Sequence, residues 1–521
     1  MNNRFGPPTL LTLLALVAGC GADKAFSSIP SENSDEGQAD GGSTDGTADS
    51  GDTEPEVEDS FFTLSPAASP VYLFIANPDR DTVTRVSVPS LQVITTEVGD
   101  RPIVVKTTSD YRKAVTFDEA SDTVSVIDAD SLEVSSVPVR ANFNTMSLSP
   151  DGRFVICWHD SDSDETESSD SGAQSFNEIS LVDTETLTHI PMVVGFNPRG
   201  VQFTADSASA VVASDAYVAV IDLTASTPAP ARIAISDDLV EPPLAEEVLL
   251  TPDGRYAFIR QFGATELVVV ELASAWVERV AVGDNPTDLD LTPDGLRAVA
   301  VARDSKELWL YDLADPFAAA DVVALPETDT FGSVVMSPDG SRGLLYSTAS
   351  GVSRYGSWDL STDEITVRAL VKPVRAIGLS PTGETALVFH DKENGDTDSD
   401  SVFYSQWALT MIDLTDDFFS NPLRLPAEPS GFAHSDDGER GYLIMEEQPL
   451  LEVLDYRSLL YEEVALKSPA VHVGVVPEST LAWASQEHEL GRLSFYAPET
   501  GELQTITGFE LNSGIETEES P

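Results

Sequence analysis

One short phrase recurs along this chain and restricts its fold more than any other feature. It reads Leu148-Ser149-Pro150-Asp151-Gly152, Leu250-Thr251-Pro252-Asp253-Gly254, Leu291-Thr292-Pro293-Asp294-Gly295 and Met336-Ser337-Pro338-Asp339-Gly340, each followed closely by an apolar run. Looser copies are Leu379-Ser380-Pro381-Thr382-Gly383, His434-Ser435-Asp436-Asp437-Gly438, Thr108-Ser109-Asp110-Tyr111 and Thr204-Ala205-Asp206-Ser207. Taking the Asp or its equivalent as marker, the copies sit at 110, 151, 206, 253, 294, 339, 382, 437 and about 478, in steps of 41 to 55 residues. Self-similarity at that period belongs to repeat architectures, in which each unit buries its faces only against its neighbours. The phrase itself is a tight turn: Pro presets φ, Asp suits the second corner, and Gly takes a positive φ without steric cost.

The unit spanning 246–283 shows what is repeated. Glu246 to Leu250 reads as a short strand, then the Pro-Asp-Gly turn, then Tyr256 to Arg260, Glu266 to Leu272 and Trp276 to Val282 as three more strands. No segment past residue 61 carries a helical period, so the expected class is all-β. Four antiparallel strands per unit of about forty residues make a β-propeller blade. About ten such units are counted from Phe61. A single ring of ten is the leading expectation; a ring of seven or eight blades with flanking strands, or two smaller rings, are the alternatives. The third strand usually ends in an acid (Asp128, Asp183, Asp222, Asp312, Asp359, Asp413, Asp455), which reads as a turn cap rather than a catalyst. Units close on Val-Gly-x-x-Pro, as at Val98 to Pro102, Val194 to Pro198 and Val282 to Pro286.

Ser/Thr-Pro-Asp-Gly, an apolar strand, Val-Ile-Asp and Val-Gly-x-x-Pro together resemble the YVTN-type β-propeller repeat of bacterial and archaeal surface proteins. WD40 domains and lactonase-type propellers share that fold class. The resemblance covers most of residues 61–510 and implies a fold, with little bearing on function.

Two steps of 55 residues carry insertions, both between the second and third strands of their units: His159 to Asp170 and His390 to Asp400. Each opens on His-Asp and holds alternating carboxylates, Asp160, Asp162, Asp164 and Asp396, Asp398, Asp400. Alternating carboxylates supply the oxygen ligands that Ca²⁺ takes, although neither loop matches a full EF-hand, with Gly at its sixth position and Glu at its twelfth. Calcium is therefore the one cofactor suggested, beside the plainer reading of solvated acidic loops. In a ring of ten these units would face each other. The same rim is expected to present Arg101, His159, Arg199, Asp288, Arg375, His390 and His472, as ligand contacts or as ion-pair partners of nearby acids.

No Gly-x-Ser-x-Gly, Walker, Gly-x-Gly-x-x-Gly or His-Glu-x-x-His motif occurs, so no catalytic residue is assigned. The two cysteines, Cys20 and Cys157, leave no disulfide framework. Against 29 Lys and Arg stand 88 Asp and Glu, a net charge of −59 that repels nucleic acid and anionic lipid surfaces.

The remaining signals concern address. Arg4, the apolar run Leu10 to Ala18 and Leu16-Val17-Ala18-Gly19-Cys20 read as an export signal over residues 1–19 and resemble the bacterial lipobox, which implies lipidation at Cys20. Residues 20–60 read as an acidic disordered tether: 31–60 hold eleven acidic side chains and one hydrophobic residue larger than Ala, Val57. The propeller is expected over 61–512 and a disordered tail over 513–521. The reading is a lipid-anchored propeller of the bacterial outer membrane or cell surface, binding a protein, peptide or glycan through rim loops. A lactonase-like enzyme and a structural surface-layer component are the alternatives.

Overall fold

The computed structural model describes residues 67–509 apart from 89, 161–176, 237–244, 262, 350 and 416–417. Within them lie forty strands in ten four-stranded antiparallel sheets, each formed from consecutive strands. The fifth is representative: Ala245–Leu250, Tyr256–Gln261, Glu266–Glu271 and Trp276–Ala281, the four strands read from sequence. No α-helix is present among the described residues; one short 3-10 turn covers Pro78–Arg80.

The turn phrase works through its side chains. Ser149 Oγ donates to Asp151 Oδ1 at 2.6 Å, Asp151 Oδ1 accepts the Arg153 N–H at 3.0 Å, and Ser149 Oγ accepts the Phe154 N–H at 2.9 Å. The same hydroxyl–carboxylate pair recurs at Thr251–Asp253, Thr292–Asp294, Ser337–Asp339 and Ser435–Asp437. Divergent copies keep the geometry at some backbone cost: Ser207 and Tyr111 take φ of 56° and 57° where Gly is usual. The acid ending the third strand caps the next turn, as expected: Asp183 Oδ1 accepts the N–H groups of Glu185 and Thr186, and Asp455 Oδ1 that of Ser458.

Burial varies by strand. All six residues of Thr385–His390, a second strand, are buried, whereas Leu460–Ala465, a fourth strand, is exposed except at Val464. Middle strands are covered by a neighbouring blade on each face, so they read as continuous apolar runs; outer strands face water on their margins. First strands of neighbouring blades, such as Pro429–His434 and Ala470–Val475, touch each other and surround the axis.

Ten core clusters lie between successive blades, one at each interface. The last joins the end of the chain to its beginning. Leu73 and Val86 of the first blade pack with Trp483, Leu493, Phe495 and Ile506 of the tenth, and with Phe509 just beyond it. Thr95 Oγ1 donates to the Phe509 carbonyl at 3.2 Å across the same seam. The chain is thus one ring of ten blades, and the smaller-ring alternatives fall. Among the described residues no strand is exchanged at the seam; each blade is built from consecutive strands.

Gly254 and Gly263 separate two costs that glycine removes. Both have positive φ, 66° and 65°, but a Cβ on Gly254 would sit 2.7 Å from Thr204 Cγ2, while one on Gly263 meets nothing within 4 Å. Gly263→Ala should cost about 1 kcal/mol, the backbone term alone, and Gly254→Ala about 2–3 kcal/mol, read as shifts of the urea midpoint. Equal shifts would remove the close-approach account of the turn.

Candidate functional site

The turns joining first to second and third to fourth strands share one face of the ring. Second-to-third loops and blade connectors share the other, as the Glu119 N–H bond to the Arg101 carbonyl illustrates. Both inserted loops open from this connector face, directly after Phe154–Trp158 in the third blade and Thr385–His390 in the eighth.

The eighth-blade insertion is anchored from below by buried polar groups. His390 is fully buried, with Nδ1 2.8 Å from the Pro373 carbonyl and Nε2 2.8 Å from Thr410 Oγ1. A carbonyl only accepts, so Nδ1 carries the proton and Nε2 accepts from the threonine hydroxyl. Burial lowers the His390 pKa to about 4, which keeps the ring neutral with both nitrogens engaged. Lys372, also fully buried, donates through Nζ to the carbonyls of Lys392 at 3.2 Å and Gln406 at 2.9 Å, near the two ends of the loop 391–406 that contains the insertion. Burial lowers its pKa as well.

The carboxylates of this loop serve separate tasks. Asp396 Oδ1 accepts the Ser353 N–H at 3.0 Å and its hydroxyl at 2.5 Å, docking the loop on the seventh blade. Asp398 Oδ1 accepts the Asp400 N–H at 2.9 Å. Among the described residues no group of three His, Cys, Asp or Glu side chains is gathered as a metal site. In the third-blade insertion His159 is buried and Asp160 is fixed through its backbone to Asn144, while Asp162 and Asp164 lie outside the described residues, as does Cys20.

The rim residues named from sequence are placed as follows. Arg101 pairs with Glu119 at 3.0 Å and stays mostly exposed; Arg199 pairs with Asp215 at 2.7 Å and is largely covered. Arg375 bonds Glu428 of the connector to the ninth blade at 2.7 Å and lies 5.1 Å from the centre of the Trp407 ring. Asp288 is buried, and its Oδ2 accepts the Val334 N–H of the seventh blade at 2.7 Å. Glu247 Oε2 does the same for Leu289 N–H at 2.9 Å, so acids of one inner strand cap the free edge of the next. His472, in the first strand of the tenth blade, is half-buried, and burial lowers its pKa. Cys157 is fully buried and its thiol pKa is pushed far up by burial, which removes the thiolate.

These placements expose a feature the sequence reading missed. Between the eighth and ninth blades lies a groove of about 460 Å³. The insertion supplies Lys392, Ser405 and Gln406; Trp407, Leu425, Glu428, Glu446 and Glu447 complete most of the wall. Its members come from four separated stretches of chain, so no local motif marks it. A second cavity on the opposite face, about 510 Å³ between the sixth and seventh blades, is lined by Arg297, Arg342 and the turn acids Asp294, Asp339 and Asp359, already used as caps.

No family model and no curated protein matches the chain. Among solved structures it is similar to a eukaryotic initiation factor, at 12% identity and a TM-score of 0.50 over 76% of this chain and 96% of that one. It is also similar to the dihydro-heme d1 dehydrogenase NirN in complex with DHE (17% identity, TM-score 0.42, 72% and 77%). A third is the β-propeller domain of Cps50 (Swd1) from Myceliophteria thermophila (13%, 0.32, 55% and 92%). Likeness at these identities concerns the fold.

Two predictions arise here. Lys372→Met keeps the stem but strips the donors from Lys392 and Gln406; limited proteolysis should then cut within 391–406 at least tenfold faster, and an unchanged rate would remove the anchoring role. Glu452, opposite Leu443 on the face turned to the eighth blade, is buried with Oε2 lacking a partner among the described residues. Burial, then the nearby Glu463 charge, raises its pKa to about 7. Between about pH 4.5 and 7 the folded chain holds a proton the unfolded chain has lost, so stability falls as pH rises through that window and stays low above it. Glu452→Gln should therefore stabilise by roughly 2–3 kcal/mol at pH 8 and by little at pH 4.5, measured by urea unfolding at both. Equal effects at the two pH values would contradict the buried carboxylate.

Proposed function

We propose that this chain is a membrane-tethered binding lipoprotein of the bacterial envelope, with a YVTN-type propeller that recognises a protein, peptide or glycan through its connector face. One observation carries the binding half: the eighth-blade insertion is pinned at both ends by a buried lysine and walls a groove shared with the next blade. A buried ammonium is costly to desolvate unless its donors are used, and here they hold two carbonyls of this one loop, which fits a loop whose shape matters. The tether is supported by sequence alone: the Leu16 to Cys20 motif followed by an acidic stretch that cannot bury a core. A rigid ring on a long spacer presents its face away from the membrane surface that its charge opposes.

The test is a pull-down from envelope extracts with the intact chain and with 391–406 replaced by a short turn. A partner retained by the first and lost by the second is expected; equal capture by both would overturn the loop's role. For the anchor, Cys20→Ser should move the protein from the membrane to the soluble fraction, and continued membrane retention would count against lipidation.

A further inference from the structure

We infer that the groove between the eighth and ninth blades receives a long cationic side chain, a lysine or arginine presented by a protein partner. This deepens the binder reading and rests on it. The groove is divided by polarity. Trp407 and Leu425, with Pro426 and Ala427, give it an apolar side, and Leu425 belongs to the core cluster shared by the two blades. Glu446 and Glu447, in the loop after Arg440–Met445, are exposed at its margin. An apolar side beside carboxylates fits a side chain that lays its methylene stem on hydrocarbon and extends its charge toward water.

The charges favour a cation over an anion. Arg375 and Glu428 neutralise each other at 2.7 Å. Glu446 and Glu447 then face one cation, Lys392, leaving the groove negative within a chain of net charge −59. That field raises the local concentration of cationic partners and speeds their arrival. Trp407 already lies against one guanidinium, that of Arg375, in line with the attraction of cations to an indole ring. The wall is also fixed before any ligand arrives, because Lys372 holds both ends of the insertion; less ordering entropy is then lost on binding.

The probe is a blocked pentalysine peptide, titrated calorimetrically into the full chain at 150 mM salt, where diffuse surface attraction is screened beyond about 8 Å. Glu446→Gln with Glu447→Gln should weaken binding at least tenfold. Trp407→Ala should weaken it several-fold, and Lys392→Ala should tighten it several-fold. Glu97→Gln with Glu133→Gln, which removes two exposed acids from the first and second blades, should leave the affinity unchanged. Circular dichroism melts verify that each variant is folded. Equal weakening by the two double variants would reduce the effect to diffuse charge and overturn the inference. So would tighter binding of a neutral oligosaccharide, insensitive to salt. If pentalysine fails while deletion of 391–406 still abolishes capture of an envelope partner, the binder reading stands and the ligand class alone falls.

Discussion

The structure depends on closing the ring by side-chain packing. A four-stranded blade exposes two apolar faces and is stable only when both are covered, so an open row of blades would leave the first and last bare. The seam cluster solves this with aromatic and branched side chains: Trp483 and Leu73 are fully buried, and Phe509 reaches back from beyond the last strand. Removing one such aromatic typically costs about 3–5 kcal/mol, a large share of the net stability of an ordinary domain. Among the described residues no backbone ladder crosses the seam, so closure there rests on side-chain packing.

Much of the fold is legible because its rules are local. The hydroxyl, carboxylate and glycine of each turn lie within four residues of one another, and the resulting geometry holds wherever the phrase is kept, as at Thr251, Asp253 and Gly254. Repeating that phrase marks nine positions, and counting four-strand groups from Phe61 gives ten. Whether the blades form one ring or two does not follow, since that is decided by which apolar faces meet. Ile506 and Leu73 are 433 positions apart in sequence and share a cluster only through the closed ring.

The site is less legible for the same reason. Asp288 reads as a rim acid, yet the next blade covers it and takes its carboxylate for a backbone N–H. His390 opens an acidic loop in sequence, but its ring is buried, with both nitrogens engaged. Arg199 and Arg375 read either as ligand contacts or as ion-pair partners of nearby acids, and each meets a carboxylate in space, though which acid it meets is set by packing. Trp407, Glu428 and Glu446 become neighbours of one groove only after the eighth and ninth blades pack. Lys372 carries no sequence signal at all; its role appears with the two carbonyls it holds. Structure and proposed function therefore meet at one interface, where the packing of the eighth blade on the ninth sets the insertion beside the groove.

The most direct measurement is electron microscopy of the purified chain viewed down the axis. Ten radial blades in an uninterrupted ring, with the first and tenth in contact, are predicted. An open arc, two separate rings or another blade number would contradict the account.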